Sequence, residues 1–129
     1  VAVSDEFLRD DKFLPTGKTA NGRPRDIELC NGDYNPLSGQ LSAFYKAEGN
    51  SIKLFNRTDL SGIEYEFDEH FGYRMLYRGK NDCFAALEPQ TCATDCFHYE
   101  VDPFSLGLIA LEGKNSITFK TKIGFISKK

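Results

Sequence analysis

Ser105-Leu-Gly-Leu-Ile-Ala-Leu-Glu112, Gly113-Lys-Asn115 and Ser116-Ile-Thr-Phe-Lys-Thr-Lys-Ile-Gly-Phe-Ile126 decide the fold class. In the last segment Ile117, Phe119, Ile123 and Phe125 alternate with Thr118, Lys120 and Lys122. Successive strand side chains point to opposite faces, so this pattern predicts a strand with one buried and one wet face. The first segment is a more continuous apolar run, as in a strand covered on both sides. Gly113-Lys114-Asn115 is turn chemistry, so the whole stretch predicts a β-hairpin that carries much of the core.

Working outward, the 129 residues make one domain. Eleven Phe and six Tyr with no Trp favour strands. A net charge of −3 gives no bulk attraction to nucleic acid or anionic membrane. No apolar run reaches the roughly 18–20 residues a helical membrane span needs. Val1 reads as a mature N-terminus left after removal of a leader.

Residues 1–26 are polar and broken by Pro15, Gly17, Asn21-Gly22 and Pro24, which predicts an irregular N-terminal arm. The domain proper is expected over 27–129. Ile27 to Cys30 reads as a short strand. Asn35 and Pro36 then look like an N-cap and first helical residue, with Leu37, Leu41, Phe44 and Tyr45 at helical spacing and Gly49 as C-cap. Strands follow at 51–56, 63–67, 71–78 and 83–87, with Gly79 to Asp82 ending the third of these. A loop over 88–95 and an extended segment over 96–101 precede Pro103. One helix followed by antiparallel strands predicts an α+β fold, the helix packed across a twisted antiparallel sheet.

Cys30, Cys83, Cys92 and Cys96 suggest two disulfides in an oxidising compartment, with three pairings open. Asn56-Arg57-Thr58 is an N-glycosylation sequon and agrees with secretion. Cys92-x3-Cys96-x-His98 with Cys83 has metal-ligand types but not a standard zinc spacing, so no metal and no cofactor is expected. The chain has no nucleophile elbow and no phosphate-binding glycine loop. His70 and His98, with Glu64 or Glu66, could serve acid–base cleavage of RNA only if the fold brought them together. Tyr73, Arg74, Arg78, Lys120 and Lys122 offer a face on which aromatics and cations could hold a host protein or single-stranded RNA.

The layout resembles the secreted ribonuclease-like effectors of fungal plant pathogens, which share the fold of the guanyl-specific ribonucleases. The resemblance covers roughly residues 27–122 and rests on Cys30-Asn31-Gly32, the helix opened by Pro36, and Gly107-Leu108-Ile109-Ala110-Leu111-Glu112-Gly113. That last run is similar to the family's Gly-Val-Ile-Thr-His-Thr-Gly strand, with Leu111 in place of the general-acid histidine. Asp95-Cys96 stands where the family has Asp-Arg, and Gly72-Tyr73-Arg74-Met75 lacks its base glutamate. Lys53 to Phe55 lacks the earlier histidine. No cysteine follows Cys96, so the family's terminal disulfide has no counterpart. The resemblance implies a non-catalytic, secreted virulence effector, a pseudoenzyme and monomer that binds a host protein, such as a plant immune receptor, or RNA. Delivery into host cells extends the same reading. The alternatives are an active secreted ribonuclease with a relocated His/Glu site, and a small ligand-binding β-barrel suggested by the Phe-rich core.

Overall fold

The computed structural model describes residues 1–80 and 83–127; the predicted turn residues Asn81 and Asp82 lie outside them. Strands β1 (Val3–Arg9), β2 (Pro15–Ala20), β3 (Leu41–Ala47), β6 (Tyr73–Arg78) and β7 (Ala86–Gln90) form one antiparallel sheet in the order β2-β1-β3-β6-β7. Strands β4 (Ser51–Phe55), β5 (Ser61–Phe67) and β8 (Thr121–Ser127) form a second, in the order β4-β5-β8. A short helix α1 (Pro24–Asn31) lies against β1. Single turns of 3-10 helix occupy Cys96–His98 and Pro103–Leu106.

This architecture corrects the α+β expectation in three places. The helix is not at 36–47. Pro24 opens it, the backbone N–H of Arg23 donates to the Asp26 carboxylate at 3.0 Å, and Gly32 closes it in the left-handed region. Ile27–Cys30, read as a strand, is therefore helical. Leu41, Phe44 and Tyr45 lie instead on β3, the middle strand of the larger sheet. Leu41, Ala43, Phe44 and Tyr45 are all at most 5% exposed, because this strand is covered on both faces. A doubly covered strand and a buried helix both give dense apolar residues, so spacing alone misassigned it.

The N-terminal segment, expected to be irregular, supplies β1 and β2. Between Val3 and Glu6 the β1–β3 register shifts, with Val3 opposite Ala47 and Glu6 opposite Tyr45. Ser4 and Asp5 thus face a single residue of β3, a β-bulge.

The predicted hairpin over 105–126 does not form. Its second half is a strand, but β8 pairs with β5, with Ile63 opposite Phe125 and Tyr65 opposite Ile123. Its first half folds back through the Pro103–Leu106 turn, and Leu106 and Leu108 pack on the larger sheet. Gly107 ends that turn at φ 84°, so close to the chain that a Cβ there would sit 2.3 Å from the Thr91 carbonyl oxygen. Among the described residues neither sheet closes on itself, so the strands form a two-sheet sandwich and not a closed barrel.

The two faces of the larger sheet have separate cores. On one, Val3, Leu41, Ala43, Tyr45 and Leu76 pack under Leu29 of α1. On the other, Phe7, Phe44 and Tyr73 pack with Ala93 and Cys96 of the segment after β7. Phe44 and Tyr73 stack with centroids 5.6 Å apart, and Phe7 meets both edge-on at 5.7 Å.

Two polar assemblies fix these layers. Beneath α1, the Tyr45 hydroxyl donates to Asp26 at 2.8 Å and accepts from Arg25 at 3.0 Å. Arg23 and Arg25 both pair with Glu6. Burial raises the Tyr45 hydroxyl to about 12, with the bond to Asp26 adding to the shift. At Asp26 burial pushes the carboxyl upward, but the bonds from Tyr45 and Arg23 outweigh it and hold the group below its ordinary value.

The second assembly is Arg74, which is fully buried. It donates to the carbonyls of Phe71 (2.6 Å), Tyr73 (2.7 Å) and Gly49 (2.9 Å), and its guanidinium lies 3.7 Å from the centroid of the Phe67 ring. Burial pulls its pKa down to about 10, so it keeps its charge at neutral pH.

Arg74→Met keeps the stem and removes the donors. It should destabilise the fold by about 3–5 kcal/mol in urea unfolding, with Arg74→Lys intermediate. Asp26→Asn should cost about 1–3 kcal/mol at neutral pH. Because the native carboxyl titrates below its unfolded value, that contribution is complete above the unfolded value and is lost as pH falls through the native one. The gap between wild type and variant should therefore narrow below about pH 4, measured by unfolding across an acid series.

Candidate functional site

The segment after β7 covers only part of the second face of the larger sheet. Beyond it lies an open cleft of about 400 Å³. Strand alternation builds its floor: Met75 pairs with Glu88 and with Phe44, and Tyr77 pairs with Ser42 and Ala86, so Ser42, Met75, Tyr77 and Glu88 share that face. Gln40 lies just before β3. The rim comes from the β1–β2 hairpin, through Arg9 and Phe13.

Arg9 is the best-anchored group in the cleft. Its Nη2 donates to both the carbonyl and the hydroxyl oxygen of Ser42, each at 2.9 Å. Its guanidinium carbon lies 5.5 Å from the centroid of Phe13. Burial lowers the Arg9 pKa, and the neighbouring Tyr99 partly opposes the shift. Glu88 is exposed at the other side of the cleft, and among the described residues no hydrogen bond or ion pair engages its carboxylate. A carboxylate left free in a concave site can exchange a proton with a bound molecule. Tyr77 stands diagonal to it across the β6–β7 ladder, a spacing of about 7–8 Å between Cα atoms.

A second depression, of about 390 Å³, lies between Lys46, His70, Tyr73 and the Phe104–Ile109 segment. Asp68, Glu69 and His70 bring potential ligand atoms within 4.8 Å of one another there. Asp68 is already engaged. One oxygen lies 3.1 Å from His70 Nδ1 and accepts the His70 N–H, and the other accepts the backbone N–H of Lys120.

The residues singled out from the sequence are dispersed. Tyr73 and Arg74 are adjacent on a strand and point to opposite faces. Tyr73 is packed in the aromatic cluster and Arg74 is buried beneath the other face. Arg78 donates to the Gly39 carbonyl at 2.7 Å. Lys120 is exposed beside Asp68, and Lys122 pairs with Glu66 on the smaller sheet at 2.8 Å. His70 pairs with Asp68, His98 with Asp95, and Glu64 with Lys53, and no contact among the described residues joins the two histidines. Asn56 is exposed at the end of β4, its side-chain oxygen accepting the Thr58 N–H at 2.8 Å.

All four cysteines are free thiols: Cys30 and Cys83 exposed, Cys92 half-buried, Cys96 buried. Burial raises the Cys96 thiol, and its contact with Cys92 raises it further. The expected disulfides are thus absent from the structure. The cleft residues Arg9, Phe13, Gln40, Ser42, Met75, Tyr77 and Glu88 were not foreseen as a group. Glu88-Pro89, expected to begin a loop, lies instead on β7. Pro is tolerated on an edge strand, and β7 is one.

In a thiol titration with an aromatic disulfide reagent, without reductant, Cys30 and Cys83 should react first in the native protein. Cys96 should react only on unfolding, and the total should reach the four thiols found here. A lower total after full denaturation would show a disulfide.

No protein-family profile matches the chain, and no curated protein matches it. Among solved structures it is similar to a galactose mutarotase-like protein from Clostridium acetobutylicum, with a TM-score of 0.84 at 16% identity. The match covers 99% of this chain and 40% of that one. At this identity the likeness shows the fold alone. The chain has the two-sheet β-sandwich fold of a galactose mutarotase-like protein, over about two-fifths of that protein's length, and not the fold of a guanyl-specific ribonuclease.

Proposed function

We propose that the cleft between β7 and the β1–β2 hairpin binds an aldose, and that Glu88 transfers the proton by which its two anomers interconvert. The observation that carries this reading is the unengaged Glu88 carboxylate in a cleft that also presents Arg9, Gln40, Ser42 and Tyr77. Polar groups around a carboxylate suit a polyhydroxylated ligand. The galactose mutarotase-like neighbour has the same fold over this length and suggests the ligand class.

The chemistry needs no cofactor. Glu88 takes the proton of the anomeric hydroxyl. The bond between the anomeric carbon and the ring oxygen breaks, and the ring oxygen takes a proton, leaving the open-chain aldehyde. Tyr77, which lines the same cleft, gives that proton in this reading. Rotation about the bond beside the aldehyde and re-addition of the hydroxyl to its other face close the ring as the opposite anomer. The two protons then return to the groups that exchanged them.

This reading departs from the non-catalytic, host-directed effector implied by the ribonuclease-like resemblance, which drew its support from an α+β scaffold. It is tested by following the approach of freshly dissolved α-D-galactose to anomeric equilibrium by polarimetry. Wild type should speed the approach over buffer. Glu88→Gln, which keeps size and shape, should lose about 100-fold or more of that acceleration. Equal rates for the two proteins would remove Glu88 from the role.

A further inference from the structure

Phe13 stands where its side chain is least expected. It occupies the tip of the β1–β2 hairpin at φ 63°, in the left-handed region. A bulky residue there is an outlier, because its Cβ crowds the backbone and Gly or Asn fits better. The turn is closely determined by its own bonds. Asp10 N donates to Leu14 O at 2.9 Å, Phe13 N to Asp10 O at 3.0 Å, and the Asp10 carboxylate accepts from Lys12 N and Leu14 N, each at 2.9 Å. Nothing in this bonding requires an aromatic ring. The ring is not in a core either: it is 59% exposed and lines the cleft that holds Glu88. A strained backbone that presents an exposed aromatic side chain to a concave site points to a ligand rather than to packing.

We propose that Phe13 is the platform on which the sugar ring stacks, and that it selects pyranoses presenting a continuous C–H face. This inference rests on the aldose reading of the cleft and deepens it. The guanidinium of Arg9, fixed by Ser42, supports the Phe13 ring, so the platform holds its position without a ligand. The ring has a negative face, which attracts the weakly positive hydrogens of carbon-bound C–H groups. In D-galactopyranose the axial hydroxyl at C4 leaves the hydrogens of C3, C4 and C5 on one side, forming such a face. An aldose with hydroxyls spread over both sides offers less of it. Glu88 across the cleft then meets the polar edge of the same ring.

The test compares wild type, Phe13→Gly, Phe13→Asn and Phe13→Tyr for binding of D-galactose by calorimetric titration, for thermal midpoint, and by saturation-transfer NMR. In wild type, saturation should reach the C3, C4 and C5 hydrogens most strongly. Phe13→Gly and Phe13→Asn relieve the backbone strain, so they should melt no lower than wild type while binding galactose about tenfold more weakly or worse. Phe13→Tyr should restore binding. A ring that serves the fold would give the opposite pattern, with lower melting and unchanged affinity, and would overturn the proposal. Unchanged affinity in the Gly and Asn variants, with galactose still interconverted by wild type and not by Glu88→Gln, would remove Phe13 alone. A wild type that neither binds nor interconverts galactose would remove the aldose reading and this inference together.

Discussion

The guanidinium of Arg74 is the point at which the two sheets are held to each other. It rises from β6 in the larger sheet and reaches the carbonyl of Gly49, in the turn where the chain leaves that sheet for the smaller one. It also reaches the carbonyl of Phe71, where the chain comes back, and lies over Phe67 at the end of β5. Two of the three passages of the chain between the sheets are therefore tied to one side chain, the third being the long segment from β7 to β8. A charge is buried here with carbonyl dipoles and a ring face as its partners, and among the described residues no carboxylate forms a salt bridge with it. Such an arrangement is weakly repaid in energy but strict in geometry, since a planar donor fork satisfies its acceptors in one orientation only.

Much of the strand content was legible because alternation is a local signal. Ile63, Tyr65 and Phe67 do share a face of β5, and Tyr73, Met75 and Tyr77 share a face of β6. What alternation does not give is the partner. Ile123 and Phe125 show a good strand pattern, yet they pair with Tyr65 and Ile63 of β5 rather than with the run just before them. Helix placement failed for a related reason. The apolar spacing at 37–45 was stronger than the capping signals at Pro24, Asp26 and Gly32, but here the capping signals marked the helix.

The cleft was harder to read. Its residues come from positions 9–13, 40–42, 75–77 and 88, and they become neighbours only through the β1–β3–β6–β7 order. None carries a motif, because a single carboxylate on an edge strand is an ordinary sequence event. Tyr73 and Arg74 show the reverse case. Their chemistry attracted attention, but adjacency on a strand sends them to opposite faces, where one packs aromatics and the other joins sheets.

The bulge at Ser4 and Asp5 gives this arrangement an unusual dependence. Val3 and Glu6, three residues apart, both belong to the helix-covered face, and only the extra residue between them allows it. Downstream, the same offset turns Phe7 into the aromatic core of the opposite face and Arg9 toward the cleft. The polarity of the whole hairpin is thus set by a count of residues and not by their identity. Ser4 and Asp5 can vary in chemistry with little consequence for the cleft. Removal of either one would act like a frame error, carrying Glu6 away from its arginines and Arg9 away from Ser42 in a single step.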